Sequence, residues 1–78
     1  MKKQELERQL AELGVRAGFY SLNGELLPDR VVLYQNYNRW EVFYFDEKGN
    51  REDFHSFDNE TDACDYIYRY FADRTSQL

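Results

Sequence analysis

"RWEVFYFDEKGN", residues 39–50, reads as a strand running into a turn, and it decides what kind of fold this chain can make. Side chains along a strand alternate between the two faces of a sheet. Trp40, Val42 and Tyr44 therefore share one face, while Phe43 and Phe45 point to the other. Both faces carry rings, so each needs either cover or a partner. The turn that follows contains Gly49, which tolerates positive φ, and residues 51–57 form the return strand of a hairpin.

Outward from this hairpin the remaining elements follow. Residues 30–35 are rich in β-branched and aromatic side chains and predict a strand, joined to the next by the polar turn Asn36-Tyr37-Asn38. Residues 17–22 predict a short edge strand, closed by Asn23-Gly24, and residues 25–29 hold the only proline and read as loop. At the N-terminal end Leu6, Leu10 and Leu13 recur at helical spacing over residues 3–13, with Gly14 as the stop. A second helix is predicted over residues 60–73. Asn59 is its N-cap, Glu60, Asp62 and Asp65 complement the positive end of its dipole, and Asp65 stands i,i+4 to Arg69. Ala63, Cys64, Ile67, Tyr70 and Phe71 form its apolar stripe, and residues 74–78 read as a fraying end. The expected fold is α+β, a single domain over residues 1–78: N-terminal helix, antiparallel three- to four-stranded meander, C-terminal helix.

A two-residue Lys48-Gly49 loop would set Phe45 opposite Glu52, Phe43 opposite Phe54, Val42 opposite His55 and Trp40 opposite Phe57. A Tyr37-Asn38 turn would set Leu33 opposite Val42 and Val32 opposite Phe43. One face then carries Val31, Leu33, Trp40, Val42, Tyr44 and Phe57, aliphatic enough to receive both helices. The other carries Val32, Tyr34, Glu41, Phe43, Phe45, Glu52 and Phe54, rings with acids among them. Two arrangements stay open: both helices on the first face, leaving the second to solvent, or one helix on each. A one-residue slip in register would exchange the assignments.

Seventy-eight residues bury only about 60% of the extended chain's surface, so packing has little in reserve. A lone Cys64 excludes an internal disulfide, and with a lone His55 it excludes a structural zinc site. Nothing approaches the roughly 20 apolar residues of a membrane span, and residues 1–12 are charged rather than signal-like, which points to the cytoplasm. The net charge of −5 is uneven: residues 41–65 hold nine acids against Lys48 and Arg51. Such a field repels nucleic acid and anionic membrane and attracts basic protein surfaces.

Catalytic groups are sparse. His55 is the only candidate general base and reads as a surface or semi-buried structural histidine, and Cys64, on the inner stripe of a helix, reads as a small core residue rather than a nucleophile. "DNETD" (58–62) lacks the glycine and terminal glutamate of a calcium loop and reads as a helix cap. No phosphate-binding glycine loop or dinucleotide fingerprint occurs, and no cofactor is implied.

Taken together, "WEVFYFDEKGNREDFHSFDNETDACDYIYRYF" (40–71) resembles the small bacterial immunity proteins that neutralise polymorphic or contact-dependent growth inhibition toxins. The likeness lies in Trp-x-Val-x-Tyr, a glycine turn, a strand ending in Phe57, an acidic cap with Ala63-Cys64 and an aromatic helix. It implies a cytoplasmic, non-catalytic inhibitor that binds a cognate toxin domain, often a basic nuclease. On that reading Tyr34, Phe43, Phe45 and Phe54 supply burial, and Glu41, Asp46, Glu47, Glu52 and Asp53 meet the partner's Lys and Arg. The alternative is a structural or adaptor module that self-pairs as a homodimer through an open aromatic sheet face.

Overall fold

The computed structural model describes residues 1–75. Helix α1 (Lys3–Glu12) is followed by a 3₁₀ turn (Ala17–Phe19), strands β1 (Tyr20–Ser21), β2 (Arg30–Asn36), β3 (Arg39–Phe45) and β4 (Arg51–Phe57), and helix α2 (Glu60–Thr75). The strands form one sheet in the order β1-β2-β3-β4. The fold is therefore α+β, with both helices at the expected places. Pairing is antiparallel from β2 to β4, but β1 joins β2 in parallel, so the sheet is mixed and the meander covers only its last three strands. The predicted edge strand over 17–22 shrinks to two residues because residues 17–19 wind into the 3₁₀ turn.

α1 ends as its glycine requires. Gly14 takes φ +84°, its N–H bonds the Ala11 carbonyl at 3.0 Å, and the Val15 N–H reaches back to Leu10 at 2.9 Å. This is the Schellman pattern, which satisfies carbonyls that a helix end would leave open. The start of α1 has no side-chain cap of its own; instead Glu60, from the first turn of α2, accepts the Lys3 N–H at 2.8 Å. Asn59 caps α2, accepting the Asp62 N–H at 2.8 Å. Asp65 binds the Met1 ammonium at 2.8 Å instead of forming the expected pair with Arg69. α2 continues in helical form through Arg74 and Thr75, two residues beyond the expected end, and the rest of the expected frayed end lies outside the described residues.

Both helices cover one face of the sheet. Leu6 and Leu10 from α1 and Ala63, Cys64, Ile67 and Phe71 from α2 form one cluster with Val31, Leu33 and Val42. Trp40, Tyr44 and Phe57 pack at its margin, as the alternation requires. On the opposite face Val32 and Phe43 are nonetheless buried, at 0% and 1% exposure. The β1–β2 connection passes beside Tyr34 on this face: a Cβ on Gly24 would lie 3.5 Å from the Tyr34 ring, and Gly24 takes a φ of +79°.

The β2–β3 register is the expected one, with Val32 opposite Phe43 and Leu33 opposite Val42. The β3–β4 register is not uniform. Trp40 faces Phe57 and Val42 faces His55, but nearer the turn Tyr44 faces Glu52 and Phe45 faces Arg51. The expected pair Phe45–Glu52 is thus corrected, while Phe54 still opposes Phe43, joined there by Asp53 in a β-bulge with Asp53 at φ +53°. The cause lies in the turn. It spans residues 46–50 rather than two, closed by Asp46 N–H to the Asn50 carbonyl at 3.0 Å and Gly49 N–H to the Asp46 carbonyl at 3.1 Å. Asp46 Oδ1 also accepts the N–H groups of Lys48 and Asn50 at 2.9 and 2.7 Å.

Two outcomes follow for stability in urea. Phe43→Ala should cost about 3–5 kcal/mol, against a small fraction of that for the half-exposed Phe54→Ala. Asp53→Ala should be less stable than Asp53→Gly by about 1 kcal/mol, because both lose the side chain and only alanine resists the left-handed conformation. Equal losses at 43 and 54, or equal stability of the two Asp53 variants, would contradict the packing and the bulge respectively.

Candidate functional site

The bulge sorts the candidate residues onto two surfaces. On the face away from the helices lie Tyr34, Glu41, Phe43, Phe45 and Phe54. Phe43 is their buried centre: Phe54 stacks on it at 6.1 Å between centroids and 10° between planes, and Phe45 meets it edge-on at 6.5 Å. The Arg51 guanidinium lies over the Phe43 ring at 4.7 Å and over Tyr34 at 5.7 Å, a cation–π cover that closes much of the expected open patch. Glu41 is buried and accepts a hydrogen bond from Asn36 Nδ2 at 3.1 Å. Phe54, 49% exposed, is the large apolar side chain this face shows to solvent.

Of the acids expected among these rings, Glu41 stays on the face and Glu52 leaves it. Glu52, displaced by the bulge, faces Tyr44 on the helix-covered side. The cations Arg51 and Arg39 border the ring face instead, Arg39 donating to Ser56 Oγ at 3.0 Å and pairing with Asp58. Asp46 is committed to the turn. Those backbone donors, Asn50 foremost, hold its carboxyl below the usual range, while Glu47 beside it is exposed.

On the helix side Asp53 and Asp29 meet tyrosines. Asp53 Oδ2 accepts the Tyr66 hydroxyl at 3.4 Å, and Oδ1 stands 3.2 Å from His55 Nε2. His55 in turn lies against the Tyr66 ring at 4.6 Å. Tyr44 donates its hydroxyl to Asp29 Oδ1 at 3.2 Å. Burial first, and then these carboxylates, push the Tyr44 and Tyr66 phenols up, so both stay protonated donors at neutral pH. Between β4 and α2 an open cleft of about 380 Å³ is lined by Asp53, Tyr66, Arg69, Tyr70, Asp73 and Arg74. The result is a seam of tyrosines and carboxylates along the edge where α2 meets β4.

Asp29, Tyr44, Tyr66 and Tyr70 belong to this seam and were not among the candidates read from the sequence. Tyr44 and Tyr70 look like core residues by period alone. The available signal is their chemistry, since a phenol at the margin of a helix stripe carries a polar tip that prefers a wet edge. Cys64 is fully buried, its thiol pushed up to about 11 chiefly by desolvation. Among the described residues no group of three or more His, Cys, Asp or Glu is placed to hold a metal ion, and no helix is long and apolar enough to cross a membrane.

Against known family models, curated proteins and solved structures the chain gives no match.

The lowered acidity range of Asp46 fixes the sign of one pH effect. Its folded-state value lies below the unfolded one, so its stabilisation is complete above the ordinary Asp range and is lost as pH falls through the folded value. Urea unfolding of Asp46→Ala should show a flatter loss of stability toward acid than the parent protein. An acid limb of unchanged steepness would remove Asp46 from that role.

Proposed function

We propose that this chain is an immunity protein: a non-catalytic inhibitor that binds a basic cognate toxin domain, such as a nuclease, and thereby neutralises it. The observation that carries the reading is the seam itself, where Asp29, Glu52 and Asp53 stand among Tyr44, Tyr66 and Tyr70. Tyrosines supply large contact area at low entropic cost, and carboxylates at a rim steer a positively charged partner into register. A nuclease must be basic to hold its substrate, and a chain of net charge −5 gains in encounter rate toward it. The likeness of residues 40–71 to immunity proteins supports the same conclusion.

Within this reading the sequence-derived contact set is redistributed. Glu52 and Asp53 lie on the seam, and Glu47 lies at the exposed turn beside it. Phe43, Glu41 and Asp46 act as support. The ring face of Tyr34, Phe45 and Phe54 is a separate surface, and the half-exposed Phe54 favours a second reading, a homodimer through that face.

Capture from the source bacterium's lysate, with mass spectrometry of what co-elutes, should yield the C-terminal domain of a large secreted protein. Expressing that domain should arrest growth, and co-expressing this chain should restore it. For the isolated pair, Tyr66→Ala should weaken binding by about 2 kcal/mol or more, whereas Glu52→Lys should mainly slow association and reduce its salt dependence. A protein that recovers only itself and sediments as a micromolar dimer broken by Phe54→Asp would replace this reading with self-pairing.

A further inference from the structure

Tyr66, Tyr70 and Arg74 follow one another at one-turn intervals along α2, beside the bulge of β4. The Arg74 guanidinium lies 3.4 Å from the centre of the Tyr70 ring, and its Nη1 donates to the Tyr70 carbonyl at 3.1 Å. One turn away, Tyr66 is tied to Asp53, whose side chain is 59% exposed. A carboxylate offers about four acceptor sites, and the Tyr66 and His55 contacts leave room for more. The cleft thus presents an aromatic face already carrying a guanidinium and, across from it, a carboxylate open to a planar donor.

We infer that the cleft between β4 and α2 is a receptor for an arginine side chain of the partner, and that Arg74 occupies it as an internal stand-in when the partner is absent. The partner's identity rests on the toxin-binding reading; the chemistry of the cleft does not. A guanidinium suits it better than an ammonium. It stacks flat on a tyrosine ring and can at the same time present paired N–H donors to a carboxylate, whereas lysine brings a strongly hydrated point charge. Arg69 also lines the cleft and opposes an incoming cation, so binding depends on Arg74 leaving. Once it does, Arg69 is the one cation left among the residues that line the cleft. Arg74, in the last full turn of α2, is anchored to its own helix by one carbonyl and one ring, contacts that an exposed side chain exchanges readily.

The test uses the full chain and a probe with one guanidinium and neutral ends, N-acetyl-arginine N-methylamide, followed by the ring resonances of Tyr66 and Tyr70 in NMR spectra. Both should shift saturably, the corresponding lysine derivative should bind at least threefold more weakly, and Arg74→Ala should tighten the arginine probe at least threefold. Asp53→Asn, which keeps the shape of the side chain, should weaken it at least threefold. Absent or non-saturating ring shifts, an Arg74→Ala variant that binds no better, or an Asp53→Asn variant that binds equally well would overturn the assignment. Tyr70→Leu, with an unchanged circular dichroism spectrum, gives a second check, since loss of the ring should abolish the preference for arginine over lysine. These readouts involve no toxin. Failure here with a captured toxin still neutralised would reject the cleft alone; arginine binding without any neutralised partner would reject the toxin reading alone.

Discussion

One extra residue in β4 organises most of what is distinctive about this protein. Asp46 gathers two backbone N–H groups with one carboxylate oxygen, which stretches the β3–β4 turn over residues 46–50 and sets Phe45 opposite Arg51. At the other end of the same ladder Trp40 faces Phe57. The two registers differ by one residue, and a ladder can absorb that difference only in a bulge. It falls opposite Phe43, where Asp53 adopts a left-handed conformation for which aspartate is among the more tolerant residues. The bulge also twists the exposed edge of β4 out of flat extension, a recognised defence against edge-to-edge aggregation.

Because side chains alternate with period two, that single insertion changes which surface each neighbour serves. Arg51 moves onto the ring face and covers Phe43, while Glu52 moves to the helix side opposite Tyr44, where Asp53 accepts the Tyr66 hydroxyl. A face expected to combine rings with acids becomes rings beneath an arginine, and the acids acquire phenolic partners. The electrostatic character of the two surfaces is therefore a consequence of turn geometry, not of composition. Phe43 is buried without a helix over it, beneath the stacked Phe54 ring and the Arg51 guanidinium.

The helices depend on each other in a comparable way. α1 lacks an N-cap residue, and Glu60 supplies the acceptor from the neighbouring helix, so the start of α1 is completed only when α2 has docked. For a ten-residue helix, too short to be stable alone in water, this couples local order to tertiary packing. The shared cluster of Leu6, Leu10, Ile67 and Phe71 over Val31, Leu33 and Val42 does the same through burial. A chain of this size with no disulfide has few other means of holding both helices to one side of its sheet.

The sequence by itself determined the order of helices and strands, the apolar stripe of α2, the stop of α1 at Gly14, the Asn59 cap and, given a Tyr37-Asn38 turn, the β2–β3 register. Each depends on residues close in sequence or on a simple period, so local sterics and hydrogen bonding suffice. It grouped Val31, Leu33 and Val42 on one face but left open whether one helix or both would cover it; the structure places both there. Only the tertiary structure decided the parallel placement of β1, the bulge, and hence the division between the ring face and the seam. A three-residue loop (47–49) inside an Asp46–Asn50 pair and a two-residue loop (48–49) are both compatible with Asp46-Glu47-Lys48-Gly49-Asn50, and one residue of difference reverses the facing assignments between the turn and the bulge. The Asp53–Tyr66 and Asp29–Tyr44 pairs join positions 13 and 15 residues apart through the docking of a helix and the course of a loop, which no local pattern encodes.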